Sequence, residues 1–569
     1  MPIKPSNLIY GLDDRPPLWA TVLLAIEHIS IISIGLIFPV VIIREGGGTS
    51  ETAARLVALS MIAGGIGVVV QALRRGPVGS GYLCPQVCGP SFLSASILAV
   101  KTGGLSLLLG TTLLAGCFEA LLSRFLNRLR ALFPTEVTGL IVAMVGITVV
   151  KLAAKNFFGI GAAGGEVQSE SVAVAAATLA AMIGLNVWSK GKIKLFCILI
   201  GMAAGYSFSW MAGLLGSSAL VIVAEAPMLS FPFLEHPGWS LRAELIVPAL
   251  VATLCSTLKS IGDITTCQKI NDGEWKRPDM KNIGSGILAD AIGAISAGLL
   301  GGVGQSSSSS NIGLSIATGA TSRVIAWFIG GLLIITAFCP KVASFFAIMP
   351  QPVIGATLIF ALSFMVIAGI QIIMSRMMDA RKTFVVGTSM IFGLSVDMVP
   401  QAYQGLHPWI QPIFSSSLSA ATVMAVVLNL IFRLGVSKKA LLELREGDSY
   451  GERIFSFMDQ QGGLWGVRRE VVQKAQASMN EFMEAATILG LTRTPVTMEA
   501  RFNEYNLDVD IVYQGRPIVI PTAVPGQDEL IEDETAAARL ALLLVGAYAD
   551  RTMVQKKGQN SLVSIHFDH

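Results

Sequence analysis

Long apolar stretches follow one another from Trp19 to Phe432, separated by short polar segments. Most are close to the 20 or so residues that an α-helix needs to cross the hydrocarbon core of a bilayer. Only 14% of the chain is charged, against about a quarter in soluble domains, and the mean hydropathy is +0.64. Lipid cannot satisfy backbone polar groups, so such stretches must pair them internally. The pattern predicts an all-α polytopic membrane protein embedded in a lipid bilayer.

The composition changes near residue 438, because the rest of the chain carries an ordinary share of charged residues. We therefore predict a short tail over 1–16, a transmembrane domain over 17–436 and a soluble α/β domain over 440–569. The net charge of +3 gives no electrostatic reason to expect nucleic acid as a partner.

Fourteen candidate spans can be read from the hydropathy. The third and the tenth are interrupted, the third by Gly89-Pro90 and the tenth by a run of five serines before Asn311. Their separation by seven positions predicts two repeats of seven spans, about 17–214 and 243–436, with a substrate site between the broken helices. The alternative is that glycine and proline only kink ordinary spans. The spans are 17–43, 52–73, 86–101, 103–123, 134–153, 168–188, 193–214, 243–264, 284–303, 311–319, 323–346, 351–374, 382–398 and 415–433.

Lysine and arginine predict the orientation. With a cytoplasmic N-terminus, 19 of those near span ends fall on the inner side and 7 on the outer side. Positive residues concentrate in cytoplasmic loops, so both termini are expected inside, in the inner (cytoplasmic) membrane.

Ionisable side chains within apolar spans are costly and are therefore candidates for function. The first span carries Glu27 and His28, the eighth Lys259 and Asp263, and the ninth Asp290. Lys259 and Asp263 are four residues apart and can pair on one helix face. Three interpretations stay open: a structural ion pair, a Lys259 ammonium that contacts the substrate, or a neutral Lys259 amine.

The tenth segment offers a donor-rich surface, because serine hydroxyls meet the free N–H groups of a half-helix start. Asn311 adds both donors and an acceptor, which suits a heterocyclic amide edge. No metal site is expected, since Cys84 and Cys88 have no histidine nearby. No nucleophile–base pair or cofactor motif occurs, so no enzyme activity is expected. The predicted substrate-binding residues are Gly89, Ser91, Phe92, Lys259, Asp263, Ser309, Ser310 and Asn311, and the predicted coupling or structural polar residues are Glu27, His28, Asp290 and Thr318.

Residues 8–436 resemble the nucleobase–ascorbate transporter family, also called xanthine/uracil permeases. The most specific match is Asn311, Gly313, Thr318 and Gly319, in a motif that the family opens with glutamine or glutamate. The opening Tyr10-Gly11-Leu12-Asp13-Asp14-Arg15-Pro16-Pro17, His28 and Leu428-Asn429-Leu430-Ile431-Phe432 also fit.

The resemblance implies 14 spans in two inverted repeats, core and gate domains, a homodimer and elevator-like movement. It also implies uptake of a purine or pyrimidine driven by protons or sodium. Two positions depart from the family, which usually has glutamate where Lys259 stands and glutamate or glutamine where Ser310 stands. An ammonium only donates hydrogen bonds, so we expect a substrate richer in acceptors or negatively charged, such as a urate-like heterocycle or an organic acid.

Coupling is open. A fixed charge at Lys259 would leave uniport or exchange, whereas Asp263, Asp290, Glu27 or His28 could each carry a proton. An inorganic or carboxylate anion carrier, and a sensor that signals through residues 440–569, are the alternatives to a nucleobase carrier.

Residues 440–569 predict helices over Glu470–Ala486 and Glu534–Ala549 and strands over Leu507–Val512, Ile518–Ile520 and Leu562–Phe567. Their order weakly resembles the ATP-binding domains of anti-sigma factors and histidine kinases. Ala485 stands four residues after Glu481, where that family has asparagine. The resemblance implies a domain that has lost its nucleotide and serves assembly or regulation, with a cytoplasmic protein partner. An unrelated small α/β domain is the alternative.

Overall fold

The computed structural model describes residues 4–6, 8–73, 76–126, 134–160, 166–189, 192–232, 236–275, 278–374, 378–407, 411–432, 438–503, 506–521, 534–558 and 560–568. The chain divides into two compact units, Met1–Leu430 and Ile431–His569.

Where the structure describes it, the first unit is helical apart from one pair of short strands. Within the described residues, eight helices are long and apolar enough to cross a membrane, or nine if one bent pair counts as a single span. Several other predicted spans are shorter helices. The elements are α1 Leu18–Gly35, α2 Ile37–Glu45, α3 Ser50–Gln71, β1 Gln86–Cys88, α4 Leu93–Leu122, α5 Thr135–Phe157, α6 Ser169–Trp188, α7 Lys192–Leu195, α8 Cys197–Met211, α9 Ser217–Glu225, α10 Ala243–Asn271, α11 Met280–Leu300, β2 Gln305–Ser307, α12 Ser309–Thr318, α13 Arg323–Ala337, α14 Pro340–Ala347, α15 Gln351–Met374, α16 Ala380–Met398 and α17 Ser417–Phe432.

Several predicted spans are broken where glycine or proline interrupts the helix. The stretch predicted as one span over 323–346 forms α13 and α14, which meet at an angle of 84°. Pro340 is the first residue of α14, where its missing N–H leaves no bond unmade. The helical parts of the two spans predicted over 86–101 and 103–123 lie in the two halves of α4, which are separated by non-helical backbone at Gly103 and Gly104. Gly104 has a φ of 71°, which favours glycine.

The two interrupted segments meet as an antiparallel pair of strands. Gln86 pairs with Ser307, Val87 with Ser306 and Cys88 with Gln305. A Cβ atom at Gly89 would lie 2.8 Å from the Ser306 hydroxyl, so glycine permits this close crossing. The two chain breaks therefore lie in direct contact, rather than on opposite sides of a cleft.

The N-terminal segment packs on the end of the second half-helix, α12. The backbone N–H groups of Ile9 and Tyr10 donate to the Gly319 carbonyl at 2.8 and 3.0 Å. Arg323, at the start of α13, pairs with Asp13. Residues 9–13 therefore brace the connection between α12 and α13.

The second unit holds a five-stranded antiparallel sheet in the order β3-β4-β5-β7-β6. Side chains alternate along β4, β5 and β7, with apolar residues buried in one core and polar residues at the opposite face. The helix predicted over Glu470–Ala486 and two of the three predicted strands lie within observed elements, and the helix predicted over Glu534–Ala549 extends one residue beyond α20. Ala485 is buried in this core. The elements are β3 Lys438–Leu444, α18 Tyr450–Trp465, α19 Arg469–Ile488, β4 Val496–Phe502, β5 Asn506–Gln514, α20 Glu534–Tyr548, β6 Arg551–Lys557 and β7 Asn560–Asp568.

The strand predicted over Ile518–Ile520 is wrong. The chain turns back after β5, and the Ile518 N–H donates to the Tyr513 hydroxyl at 3.0 Å instead of to a neighbouring strand. The same hydroxyl donates to the Arg516 carbonyl at 3.2 Å. A side chain thus satisfies the backbone group that strand pairing would have used.

Candidate functional site

Helix α10 brings a cation and a carboxylate to the crossing of β1 and β2. Lys259 Nζ lies 3.5 Å from Asp263 Oδ2, and both side chains are less than a tenth exposed. The ammonium also donates to the Ser307 carbonyl. An ammonium carries three N–H groups, so one remains for a ligand after these two contacts. Lys259 thus connects α10 to β2 and has one N–H group left to donate to a ligand.

Ser307, the last residue of β2, connects two acidic side chains. Its hydroxyl donates to Asp263 Oδ2 at 2.5 Å and lies 3.0 Å from the Ser260 hydroxyl. Ser260 in turn donates to Asp290 Oδ2. Ser309, at the start of α12, donates to the other Asp263 oxygen at 2.6 Å. A continuous polar chain therefore runs from α10 through β2 to α11.

Asp290 is completely buried within α11 and is held by donors from several elements. Gln86 Nε2 of β1 donates to Oδ1 at 2.8 Å, and the Ser307 N–H donates to Oδ2 at 3.3 Å. Gln71 Nε2 of α3 lies 3.5 Å from Oδ1. A buried carboxyl group requires such partners because desolvation is costly.

His28 fixes the orientation of the motif asparagine. Its Nδ1 lies 2.8 Å from Asn311 Oδ1, and Asn311 Nδ2 donates to the Ser308 hydroxyl at 2.9 Å. The asparagine oxygen can only accept, so Nδ1 carries the hydrogen. The oxygen and the nitrogen of the Asn311 side-chain amide thus each have a partner within the protein.

A cavity of about 570 Å³ lies beside the crossing. Its polar side is formed by Lys259 and the three consecutive residues Ser308, Ser309 and Ser310. Its other walls are mainly apolar. A few polar groups in an apolar pocket of this size are typical of sites for small molecules. The apolar lining includes Ile31, Ile34 and Phe38 from α1 and α2, Val87 and Pro90 from the first break, Val142 from α5, and Leu358, Leu362, Phe364 and Met365 from α15.

The predicted residues divide between the cavity and its support. Lys259, Ser309 and Ser310 line the cavity. Asp263 contacts Lys259 and Ser309 from behind, and Asn311 contacts Ser308. The predicted residues Gly89, Ser91 and Phe92 of the first break lie outside the cavity lining. The Gly89 N–H donates to the Gly304 carbonyl at 2.9 Å, the Phe92 ring packs on Gly304, and Ser91 lines a separate small cleft next to α10 and α17.

None of the four predicted coupling or structural polar residues is among the cavity-lining residues, and His28 and Asp290 make the contacts described above. Glu27 is buried on α1. The Thr318 hydroxyl donates to the Leu314 carbonyl at 2.9 Å within its own helix. The contacts of Thr318 are thus those of a helix-internal threonine.

The sequence-based prediction missed four polar side chains at this crossing: Gln86, Ser260, Ser307 and Glu119. Glu119 was detectable, because it is an acidic residue within the apolar stretch of α4. It is fully buried, and its Oε1 lies 3.1 Å from the Thr257 hydroxyl. Among the described residues no cluster of histidine, cysteine and acidic side chains could hold a metal ion.

Comparison with known proteins identifies the family. A sequence profile described as a permease family matches residues 20–402. Xanthine permease XanQ of Escherichia coli is 30% identical over 77% of this chain and 96% of its own length. Xanthine permease XanP of the same species is 28% identical over 75% and 95%, and uric acid permease PucJ of Bacillus subtilis is 25% identical over 74% and 95%.

The fold has a counterpart among solved structures. The murine solute carrier 26 family member A9, an anion transporter in the inward-facing state, aligns with a TM-score of 0.51 at 12% identity, covering 75% of this chain and 71% of that one. The relatives are transporters, in agreement with the prediction that the chain is not an enzyme. With a family profile over most of its length, this multi-pass membrane protein belongs to the xanthine/uracil permease family, also called nucleobase–ascorbate transporters.

Proposed function

We propose that this permease carries an anionic or acceptor-rich oxidised purine, such as uric acid or xanthine, across the inner membrane. The observation that carries the proposal is the Lys259 ammonium at the polar side of the cavity, beside the exposed hydroxyls of Ser309 and Ser310. The Ser309 hydroxyl already donates to Asp263, so the donors left for a ligand are one N–H of Lys259 and the Ser310 hydroxyl. Hydrogen bonds from a charged donor to an anion are stronger than neutral ones.

The apolar walls fit the remainder of such a ligand. A planar heterocycle can place its faces against Phe364 and Phe38 while its carbonyl oxygens or anionic edge meet Lys259. Two relatives are named for xanthine and one for uric acid, and both purines carry several carbonyl groups. A neutral base that binds mainly by donating N–H groups would find fewer acceptors here.

The same proposal includes an architecture. We infer 14 spans in a 7+7 inverted repeat, core and gate domains, elevator-type alternating access, and a homodimer with both termini in the cytoplasm. The residues of α15 that line the cavity lie towards its C-terminal half, which this orientation puts near the cytoplasm. Uptake would be secondary active transport coupled to H⁺ or Na⁺, and residues 440–569 would meet a cytoplasmic protein partner.

Counterflow of radiolabelled xanthine, uric acid and uracil in proteoliposomes tests the proposal. We expect exchange of uric acid or xanthine by the unmodified permease. Lys259→Ala should weaken binding of the anionic form about tenfold or more, since a hydrogen bond to a charged group contributes roughly 1.5–3 kcal/mol. Lys341→Ala, on α14 and outside the cavity lining, is the matched control and should behave like the unmodified permease.

Two results would contradict the proposal. One is high-affinity counterflow of neutral uracil that Lys259→Ala leaves unchanged. The other is a thermal shift with uric acid or xanthine but no counterflow, which would favour a sensor over a carrier. Exchange of inorganic anions or small carboxylates without any purine would favour an anion carrier.

A further inference from the structure

Four oxygen atoms form an unbroken row behind the cavity. The row runs from Asp263 Oδ2 through the Ser307 hydroxyl and the Ser260 hydroxyl to Asp290 Oδ2. It starts next to Lys259, at the edge of the cavity, and ends at a fully buried carboxyl group. The row therefore links a site near the ligand with the interior of the helix bundle.

The two serine hydroxyl groups supply one hydrogen too few for the hydrogen bonds in this row. It contains three oxygen–oxygen contacts of hydrogen-bond length, but each serine hydroxyl carries only one hydrogen. Two hydroxyl hydrogens cannot fill three hydrogen bonds. If both carboxyl groups were ionised, the 3.0 Å contact between Ser260 and Ser307 would press two lone pairs together in a buried site. One additional hydrogen on either carboxyl group satisfies all three contacts.

We propose that Asp263 and Asp290 share one proton, and that the Ser307 and Ser260 hydroxyls pass it between them. When Asp263 holds it, Asp263 donates to Ser307, Ser307 to Ser260, and Ser260 to Asp290. Transfer breaks the O–H bond at Asp263, moves one hydrogen across each contact and forms an O–H bond at Asp290. Both serines regain a hydrogen, and only the location of the negative charge changes.

The surrounding charges connect this proton to ligand binding. Lys259 of α10 lies 3.5 Å from Asp263, so its positive charge attracts negative charge at that position. Glu119 of α4 is an electrostatic neighbour of Asp290, and the Cys84 thiol is an electrostatic neighbour of both Asp263 and Asp290. His28 of α1 contacts Asn311 instead. Given the function proposed above, an anionic base on Lys259 would offset its pull on Asp263 and favour a proton there, so that anion and proton are bound together.

Ser260→Ala tests the proton chain, because it removes the central oxygen. In proteoliposomes that contain pyranine, we expect uric acid or xanthine uptake driven by an inward pH gradient to fall about tenfold, together with proton entry. Counterflow, which needs no net proton movement, should stay within about twofold. Ser260→Thr restores a hydroxyl and should restore coupling.

Ser256→Ala is the matched control. Ser256 lies one turn earlier on α10, is equally buried, and its hydroxyl has no hydrogen-bond partner among the described residues. It should keep the proton-to-substrate ratio of the unmodified permease. An unchanged ratio in Ser260→Ala would overturn the proposal, and so would an equal loss of counterflow and of driven uptake, which would mean that Ser260 only supports the fold.

Infrared difference spectroscopy separates this proposal from the proposed function, because it needs no substrate. With Glu119→Gln as the background, which removes the carboxyl group of Glu119, we expect a protonated carboxyl band at neutral pH that shifts in D₂O. The band should disappear when Asp263→Asn and Asp290→Asn are added. Ser260→Ala should alter this band and Ser256→Ala should not. If the band is absent, the shared proton does not exist, even if purine counterflow succeeds. If the band is present without purine counterflow, the substrate assignment alone fails.

Discussion

At the scale of single residues, the contacts in the site depend on how many hydrogens each polar group can donate. Lys259 places a hydrogen-bond donor at the cavity edge. Thr257, two residues earlier on α10, has one hydroxyl hydrogen but two oxygen neighbours, the Thr253 carbonyl at 2.9 Å and Glu119 Oε1 at 3.1 Å. If the hydroxyl donates to the nearer carbonyl, the Glu119 contact needs a hydrogen from the carboxyl group. Glu119 is then a neutral acid.

This arrangement predicts that Glu119→Gln and Glu119→Ala differ. Glutamine keeps the shape and can donate from its amide to Thr257, so its melting temperature in detergent should stay close to that of the unmodified permease. Alanine leaves a cavity and removes a partner of Thr257, which should cost about 2–4 kcal/mol. Equal destabilisation by both substitutions would show that Glu119 is needed as a charge.

At the scale of elements, helix contacts depend on glycine where backbones approach closely. Helices α5 and α15 pack along each other, and a Cβ atom at Gly369 of α15 would lie 2.7 Å from Ala143 Cα of α5. Backbone cannot move aside as a flexible side chain can. Close contact between small residues is one of the main sources of stability for helices in lipid.

Gly369→Ala should therefore separate α5 from α15 and destabilise the transmembrane unit by about 1–3 kcal/mol. The measurement is thermal unfolding in detergent, with size-exclusion chromatography as a check on monodispersity. Gly387→Ala on α16 is the control, since an added Cβ there meets nothing within 4 Å. A Gly369→Ala protein as stable as Gly387→Ala would contradict the close contact.

At the scale of the whole molecule, the two units have separate hydrophobic cores. The core of the second unit is built from the buried faces of its sheet and its helices, including Phe482, Tyr513 and Phe567. The relatives align over 93% or more of their own length but only three quarters of this chain. The second unit is thus compact by itself and is attached to an otherwise family-sized permease.

Residues 438–569 produced alone should fold cooperatively in water. Far-ultraviolet circular dichroism should show mixed helix and strand, and unfolding in urea should give a single transition. The permease truncated after residue 437 should retain purine counterflow, because the cavity lies entirely within the first unit. A soluble unit that aggregates, or a truncated permease that is stable but inactive, would show that each unit depends on the other.

Local signals made several features predictable. Apolar length predicted membrane helices, the Gly89-Pro90 and serine interruptions predicted the broken segments, and the i, i+4 spacing predicted the pairing of Lys259 with Asp263. The strand over Ile518–Ile520 failed because a tyrosine hydroxyl, set by a turn, competes with strand pairing. The sequence pattern around Ile518–Ile520 does not indicate this competition.

By itself, the sequence determined that this chain resides in a membrane, where its helices break and which family it belongs to, because these properties depend on residues close together along the chain. The tertiary structure alone decided that Ser307 stands between Asp263 and Asp290, and that Glu119 faces Thr257. Those contacts join residues from 17 to 138 positions apart. Their partners are chosen by the register of β1 on β2 and by the packing of α4, α10 and α11, which no local pattern specifies.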